Sequence, residues 1–216
     1  GHQRGAVQVG QLLHVAFQLQ AVGAGGVEHA AGLRRRKADP FAKYVHRFGQ
    51  AFGSGGRFNT CFHVTGATTN ALIDCGASSM IALKKLGIDR NAIRAILITH
   101  FHADHFGGIP FFLLDAQFFS KRTEPLTIAG PPGLPRWFER VMETSFPGSS
   151  ATKPRFDLSL RELAPGEAAQ IAGMSVTPQA VEHGPGGPFF ALRIEAEGKS
   201  VAYTGDTEWT EALVDA

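Results

Sequence analysis

Three histidines and one aspartate lie within six consecutive residues of this chain, in the sequence HFHADH at positions 100–105. Core packing does not account for so many titratable side chains side by side, whereas imidazoles and carboxylates together are typical of metal sites. The preceding run AIRAILIT, at positions 92–99, is apolar and rich in β-branched residues, which favours a strand buried on both faces. The motif therefore predicts a metal site at the carboxyl end of a buried strand.

The residues after the motif predict a tight turn and then a helix. Phe106-Gly107-Gly108 lets the backbone turn closely, and positions 109–119 (IPFFLLDAQFF) have the composition of a buried helix with Pro110 in its first turn. We expect the phenylalanines of this helix to lie in the core: Phe111, Phe112, Phe118 and Phe119.

Two distant segments end in further candidate ligands. Positions 176–183 (VTPQAVEH) are strand-like and end in His183. Positions 189–194 and 199–203 predict a hairpin that turns at Glu197-Gly198, and its second strand runs into the sequence TGDT, which contains Asp206. Each candidate ligand therefore follows a predicted strand.

Six segments of the chain resemble the metallo-β-lactamase-fold hydrolases: FGSGGRFNTCF (52–62), ALIDCG (71–76), ILITHFHADHFGG (96–108), LTIAGPPGL (126–134), VEH (181–183) and YTGDT (203–207). The resemblance covers about residues 49–216, and LTIAGPPGL points to the ribonuclease Z-like phosphodiesterase branch. It implies a four-layer αβ/βα sandwich with a two-metal site at one edge of the paired sheets.

The same resemblance implies six ligands for two divalent ions. It assigns His100, His102 and His183 to the first ion, Asp104 and His105 to the second, and Asp206 to both. Zinc is the expected ion, with manganese or iron as alternatives, because neutral imidazoles suit a borderline metal and a bridging carboxylate offsets the repulsion between two cations. Since zinc lowers the pKa of bound water to about 7, a metal-bound hydroxide is the expected nucleophile. Asp104 is expected to be a catalytic residue as well as a metal ligand.

Asp74, at the end of ALID, has two interpretations that the sequence leaves open. It could orient a ligand histidine, as the resemblance suggests, or cap the turn at Gly76. The two cysteines, Cys61 and Cys75, are expected to be buried reduced thiols rather than a disulfide. His63 is expected to be an ordinary strand histidine.

The predicted function is that of a metal-dependent hydrolase acting on phosphodiesters. The same ligands would also serve a lactonase or β-lactamase-type ester or amide hydrolase, and a truncated, non-catalytic metal-binding domain is the alternative outside the enzymes. The loop and hairpin between His183 and Asp206 leave no room for the arm with which tRNA-processing members grip tRNA. Lysines and arginines number 21 against 19 acidic residues, so charge does not indicate RNA, and a small phosphodiester is the expected substrate.

Residues 1–48 do not resemble the family and are expected to be an unassigned, disordered extension, with the fold domain at 49–216. The family normally supplies a further histidine from beyond the Asp206 motif, and no histidine follows His183. We therefore expect a domain that lacks its C-terminal elements. The chain has no signal peptide or membrane-spanning run, which predicts a cytoplasmic protein without membrane contacts, and a homodimer remains open.

Overall fold

The computed structural model describes residues 19–20, 45–48, 51–209 and 213, most of which form two β-sheets and a layer of helices. The first sheet has seven strands in the order β1 to β7, so each strand lies beside its neighbours in sequence. β2, β3 and β4 run antiparallel, whereas β4 to β7 run parallel. The strands are β1 Leu19–Gln20, β2 Val45–Phe48, β3 Cys61–Thr65, β4 Asn70–Ile73, β5 Ala95–Leu97, β6 Leu126–Gly130 and β7 Leu158–Glu162.

The second sheet is antiparallel and has the strand order β11-β10-β9-β8. Its strands are β8 Ala169–Ile171, β9 Met174–Val181, β10 Phe189–Ala196 and β11 Lys199–Tyr203. The predicted hairpin is confirmed, because Leu192 pairs with Tyr203 and Ala196 pairs with Lys199 on either side of the Glu197-Gly198 turn.

Side chains on the first sheet alternate between two cores. On β4, Ala71 and Ile73 face the second sheet, while Leu72 between them faces the helices. On β5, Leu97 and Ile96 repeat this division. Burial on both faces explains why the segment before the histidine motif is apolar throughout.

Four helices contribute to the core on the outer face of the first sheet: α1 Ser79–Lys85, α2 Ala103–Phe106, α3 Ile109–Leu114 and α4 Leu134–Ser145. α3 has a proline in its first turn, as predicted. It continues into the π-helical turn Asp115–Phe119.

The prediction for the phenylalanines of this segment is corrected by the exposed face of α3, which carries Phe111, and by the π-helical turn, which carries Phe118 and Phe119. Phe112 is buried, but three others are exposed: Phe111 by 48%, Phe118 by 55% and Phe119 by 78%. The N–H of Ser120 donates to the carbonyl of Asp115, five residues back, which widens the helix. The side chains beyond that point leave the 3.6-residue period, so the buried stripe does not continue to Phe119.

The fold class implies four layers, and the described residues form three of them. These are the layer of helices, the first sheet and the second sheet. In the part of the chain that the structure describes, no helix lies on the outer face of the second sheet, where Arg193 pairs with Glu195 at 2.9 Å. β2 lies in the sheet beside β3, and the rest of the predicted N-terminal extension lies outside the described residues apart from β1. Among the described helices, none has the length and apolarity that crossing a bilayer requires.

Candidate metal centre

The six predicted ligands meet at one edge of the two sheets. The loop after β5 and the start of α2 carry four of them, the loop after β9 carries one, and the loop after β11 carries one. These positions hold His100, His102, Asp104, His105, His183 and Asp206. The edge is therefore built by strands from both sheets, which are distant in sequence.

Two groups of these side chains have ligand atoms that all lie within 4.8 Å of one another. One group is His100, His102 and His183, and the other is His100, His105 and Asp206. The two oxygens of Asp206 face different groups, since Oδ1 lies 3.4 Å from His105 Nε2 and Oδ2 lies 3.9 Å from His183 Nε2. Such an arrangement fits a carboxylate between two cations, although which residue serves which ion stays a prediction.

A network centred on Asp74 reaches two of the imidazoles. His105 Nδ1 lies 2.7 Å from Asp74 Oδ2, and the Thr99 hydroxyl donates to the same carboxylate at 2.9 Å. The Thr99 N–H also donates to Asp74 Oδ1 at 2.8 Å. Because the Thr99 hydroxyl hydrogen is used in this way, its oxygen can accept from His100 Nδ1, which lies 3.0 Å away. The Asp74 carboxylate thus contacts a predicted ligand histidine, whereas the Gly76 N–H donates to the Thr60 carbonyl; that Asp74 orients the ligands stays a prediction.

The Nδ1–H assignment leaves the Nε2 atoms of His100 and His105 directed into the cluster. Both Nε2 atoms are buried and have no hydrogen-bond partner among the described residues. Asp104 Oδ2 approaches His105 Nε2 at 3.3 Å, but not in hydrogen-bonding geometry. A buried nitrogen atom without a hydrogen-bond partner is costly unless something coordinates it, so the donor set fits a metal.

The electrostatics of the two buried histidines differ. Burial and the neighbouring His105 lower the pKa of His100 to about 3, which keeps its imidazole neutral. Burial alone would lower the pKa of His105, but the carboxylates of Asp74, Asp104 and Asp206 outweigh it and raise that pKa to about 12. A metal ion bound at His105 Nε2 would therefore have to displace a proton.

Backbone hydrogen bonds fasten α2 to the loop after β4. The Cys75 N–H donates to the His105 carbonyl at 2.7 Å, and the Gly108 N–H donates to the Cys75 carbonyl at 2.8 Å. The backbones approach so closely that a Cβ atom at Gly76 would collide with the Asp104 carbonyl oxygen. Glycine is therefore required at this contact, which sets the distance between α2 and the loop that carries the orienting carboxylate.

Aromatic rings support the cluster from two sides. Phe101, between two of the histidines, stacks on Trp137 of α4 with ring centroids 5.7 Å apart. On the opposite side, the Phe189 ring of β10 lies 5.1 Å from the His183 ring and 5.7 Å from the His102 ring. The contact between Phe101 and Trp137 connects the loop that carries His100 and His102 to α4, which follows the AGPPG sequence.

Thr99, Trp137 and Phe189 are the site residues that sequence reasoning missed. Thr99 carried a weak signal, because it directly precedes the first histidine, but the other two depend on contacts between distant segments. Cys61 and Cys75 are buried free thiols, as predicted. His63 is a strand residue whose Nε2 lies 2.9 Å from Asn70 Oδ1, away from the ligand groups.

Known proteins share parts of this chain. Ribonuclease Z of Agathobacter rectalis is 53% identical over 68 residues, which are 32% of this chain and 22% of that protein. Ribonuclease Z of Mycobacterium bovis is 27% identical over 153 residues, which are 66% of this chain and 54% of that protein. This chain therefore matches only part of the length of these relatives.

Solved structures show the same fold. The short form of human tRNase Z superposes with a TM-score of 0.60 at 25% identity, over 74% of this chain and 67% of that one. The metallo-β-lactamase-fold protein YhfI of Bacillus subtilis has a TM-score of 0.60 at 19% identity, over 78% of this chain and 63% of that one, which supports the fold alone.

A family model described as "Anti-Pycsar protein Apyc1" matches residues 47–216. That range contains both sheets from β3 onward, all four helices and every predicted ligand. Because the match covers well over half of the sequence, this chain belongs to the Apyc1 family, and it has the metallo-β-lactamase fold in its ribonuclease Z-like form.

Proposed function

We propose that this chain is a metal-dependent phosphodiesterase whose centre is the His and Asp cluster at the edge of the two sheets. The observation that carries the proposal is the pair of buried, unpartnered Nε2 atoms of His100 and His105, held by one carboxylate network and facing Asp104 and Asp206. Such a site can hydrolyse several classes of substrate, and the similarity to ribonucleases Z favours phosphodiesters among them.

The proposed ligand sets follow the resemblance, and the first of them coincides with a group of converging ligand atoms. His100, His102 and His183 would hold one ion, Asp104 and His105 the other, and Asp206 would contact both. When bound, such ions supply the nucleophile by lowering the pKa of coordinated water to about 7. The protein holds the imidazoles in the required tautomer through Asp74 and Thr99 and excludes water from His100 and His105 by burial.

Zinc is the proposed ion, because three imidazoles in one group suit a borderline metal better than magnesium or calcium. The cytoplasm is the proposed location, in keeping with two buried free thiols. A small phosphodiester remains the proposed substrate. The family description adds an anti-Pycsar role, which we carry to this chain as a proposal only.

Metal removal and one ligand substitution test the proposal. A chelator, or His102→Ala, should abolish hydrolysis of bis(p-nitrophenyl) phosphate, because either change dismantles the first ligand group. Substitution of a residue that only orients a ligand typically lowers activity by about 10- to 100-fold. The loss of activity expected here is larger.

His63→Gln is the matched control, since this histidine bonds Asn70 and belongs to neither ligand group. Its rate should stay near that of the parent chain. Unchanged turnover in chelated protein would refute the proposal, and turnover of a β-lactam or a lactone in preference to the phosphodiester would favour the other hydrolase classes.

A further inference from the structure

A cavity of about 490 Å³ opens beside the metal cluster, between the ends of the two sheets. His183 and Phe189 form part of its wall. The Phe189 ring is in contact range of the His102 and His183 rings, at centroid distances of 5.7 and 5.1 Å. A group seated in the cavity would therefore lie next to His183, which belongs to the proposed metal centre.

At the end of β9 the core between the sheets gives way to this cavity. Inward-facing residues alternate along β9, and the first of them, Met174 and Val176, are buried in the core between the sheets. Ala180 continues the same face but is exposed and lines the cavity. Opposite it are Pro132, from the AGPPG segment, and Pro165.

The rim of the cavity is tied to the cluster by backbone contacts. The Glu208 N–H donates to the Glu182 carbonyl at 2.8 Å, and the Thr207 hydroxyl lies 3.1 Å from the same carbonyl and 2.8 Å from the Glu208 carbonyl. These bonds join the loop that carries Asp206 to the segment that carries His183. The position of the cavity relative to these two predicted ligands is therefore fixed.

The chemistry of the wall is apolar with two negative charges. Proline, alanine, valine and phenylalanine side chains make up most of it, and Glu182 and Glu208 are its two charged side chains. No lysine or arginine is among the described residues that line it. Flat apolar surfaces suit an aromatic or apolar group, and the carboxylates disfavour a second anionic group by like-charge repulsion.

We propose that this cavity receives the ester group of a phosphodiester and selects neutral apolar or aromatic groups over anionic ones. The inference rests on the proposed function and adds the substrate class. Hydrolysis breaks the P–O bond to the leaving group. Water supplies the hydroxyl group that joins phosphorus and the proton that the leaving alcohol takes up, so the products are a phosphomonoester and an alcohol. The selected group is the one that occupies the cavity while this bond breaks.

Three esters with a common p-nitrophenol leaving group test the selection. Their second ester group is phenyl, methyl or 4-carboxyphenyl. The parent chain should prefer phenyl over methyl in kcat/KM by about 10-fold or more, and phenyl over 4-carboxyphenyl by a similar factor.

Variants then locate the selection in the cavity. Ala180→Trp should lower the phenyl-to-methyl ratio several-fold by filling the space, and Ala180→Leu is a smaller filler for the same purpose. Glu182→Gln with Glu208→Gln should raise relative turnover of the 4-carboxyphenyl ester. Ser175→Trp, on the opposite face of β9, is the control and should leave both ratios unchanged.

The possible failures are distinguishable. If the parent chain hydrolyses the esters without preference, or if Ala180→Trp and Ala180→Leu keep metal content and both ratios, the cavity does not select the ester group. If the metal-loaded parent chain hydrolyses none of the three esters, the proposed function falls and the inference falls with it.

Discussion

Asp74 is not a proposed ligand, but its side chain hydrogen-bonds His105 directly and reaches His100 through the Thr99 hydroxyl. Its backbone has the left-handed conformation, with a φ of 57°, which costs a non-glycine residue about 1–3 kcal/mol. In return, its two oxygens reach Thr99 and His105 at hydrogen-bonding distance. A strained backbone is thus compensated by a network that orients two imidazoles.

Asp74→Asn should weaken metal binding without removing a binding site. Asparagine tolerates the left-handed conformation, so the substitution changes charge while keeping the backbone. We expect metal affinity to fall by roughly 10- to 100-fold, with the same number of ions at saturation. Asp206→Asn should instead lose at least one ion per chain, because a neutral amide is a poor bridge between cations.

Metal titration of the chelated protein followed by metal analysis would measure both effects. Asp115→Asn is a suitable control, because that buried carboxylate pairs with Lys84 and Arg90 and with no residue of the cluster. Equal metal content in Asp206→Asn and in the parent chain would contradict the bridging role.

The proposed ligands could be predicted because four of them are contiguous and the other two end strand-like segments. The role of Asp74 could be proposed only from resemblance, and its left-handed backbone could not be foreseen from ALIDCG. The contribution of Thr99 depends on a contact 25 residues away in sequence, which no local pattern records. Local spacing therefore predicts ligands better than it predicts what orients them.

Two hairpins, β3–β4 and β10–β11, extend away from the metal edge and return to it. Their returning strands lead to Asp74 and Asp206 respectively. At the far end, the Glu197 carboxylate accepts hydrogen bonds from the backbone N–H groups of Ala67, Thr68 and Thr69, and from the hydroxyls of both threonines. This contact joins the turns of the two hairpins, and so joins the two sheets.

Glu197→Gln should lower the melting temperature at neutral pH, and by less in acid. Backbone hydrogen bonds, that of Thr68 first, lower the pKa of Glu197 to about 2, against about 4.3 for glutamate in an unfolded chain. A lowered pKa means that the stabilisation is complete above the unfolded value and is lost as the pH falls towards 2. Thermal unfolding at pH 7, 4 and 3 should show the difference shrinking.

The neighbouring Glu195→Gln provides the comparison, since Glu195 bonds Arg193 within its own strand and does not join the sheets. It should change the melting temperature little. A Glu197→Gln difference that stays constant from pH 7 to pH 3 would contradict the assignment.

Gly76→Ala should lower both the stability of the fold and the affinity for metal, and comparison with Gly87→Ala should separate the two effects. The added Cβ would meet the Asp104 carbonyl and force the loop away from α2, at a cost of about 1–3 kcal/mol and with weaker metal retention. Gly87→Ala is the matched variant, because its φ of 65° strains alanine by about 1–2 kcal/mol while the space around it is open. Only Gly76→Ala should lose metal affinity when unfolding and metal titration are measured together.

The hairpin and the buried strand before the motif could be predicted from alternation and composition. The π-helical turn after α3 could not, because the sequence IPFFLLDAQFF satisfies a regular helix equally well. Asp115 is buried there beside two cations, while Phe118 and Phe119 point outward. The local apolar pattern therefore fails at the turn where Asp115 pairs with Lys84 and Arg90.

The whole described molecule places two cores around the first sheet and leaves one edge of the sandwich for chemistry. The fold class was predicted from the resemblance. The two sheets, with strand orders β1 to β7 and β11 to β8, agree with that prediction. The join between sheets at Glu197 and the cavity at Ala180 arise only when distant segments pack together. Assembly of the site therefore depends on correct packing of the two sheets, and not on the histidine motif alone.

Anomalous diffraction from crystals of the metal-loaded chain, recorded at the absorption edge of the bound metal, would show whether the histidine and aspartate cluster holds two ions. Two peaks are expected at the sheet edge, one among His100, His102 and His183 and one beside Asp104 and His105, with Asp206 between them. A cluster without anomalous density, or metal bound only elsewhere on the chain, would contradict this expectation.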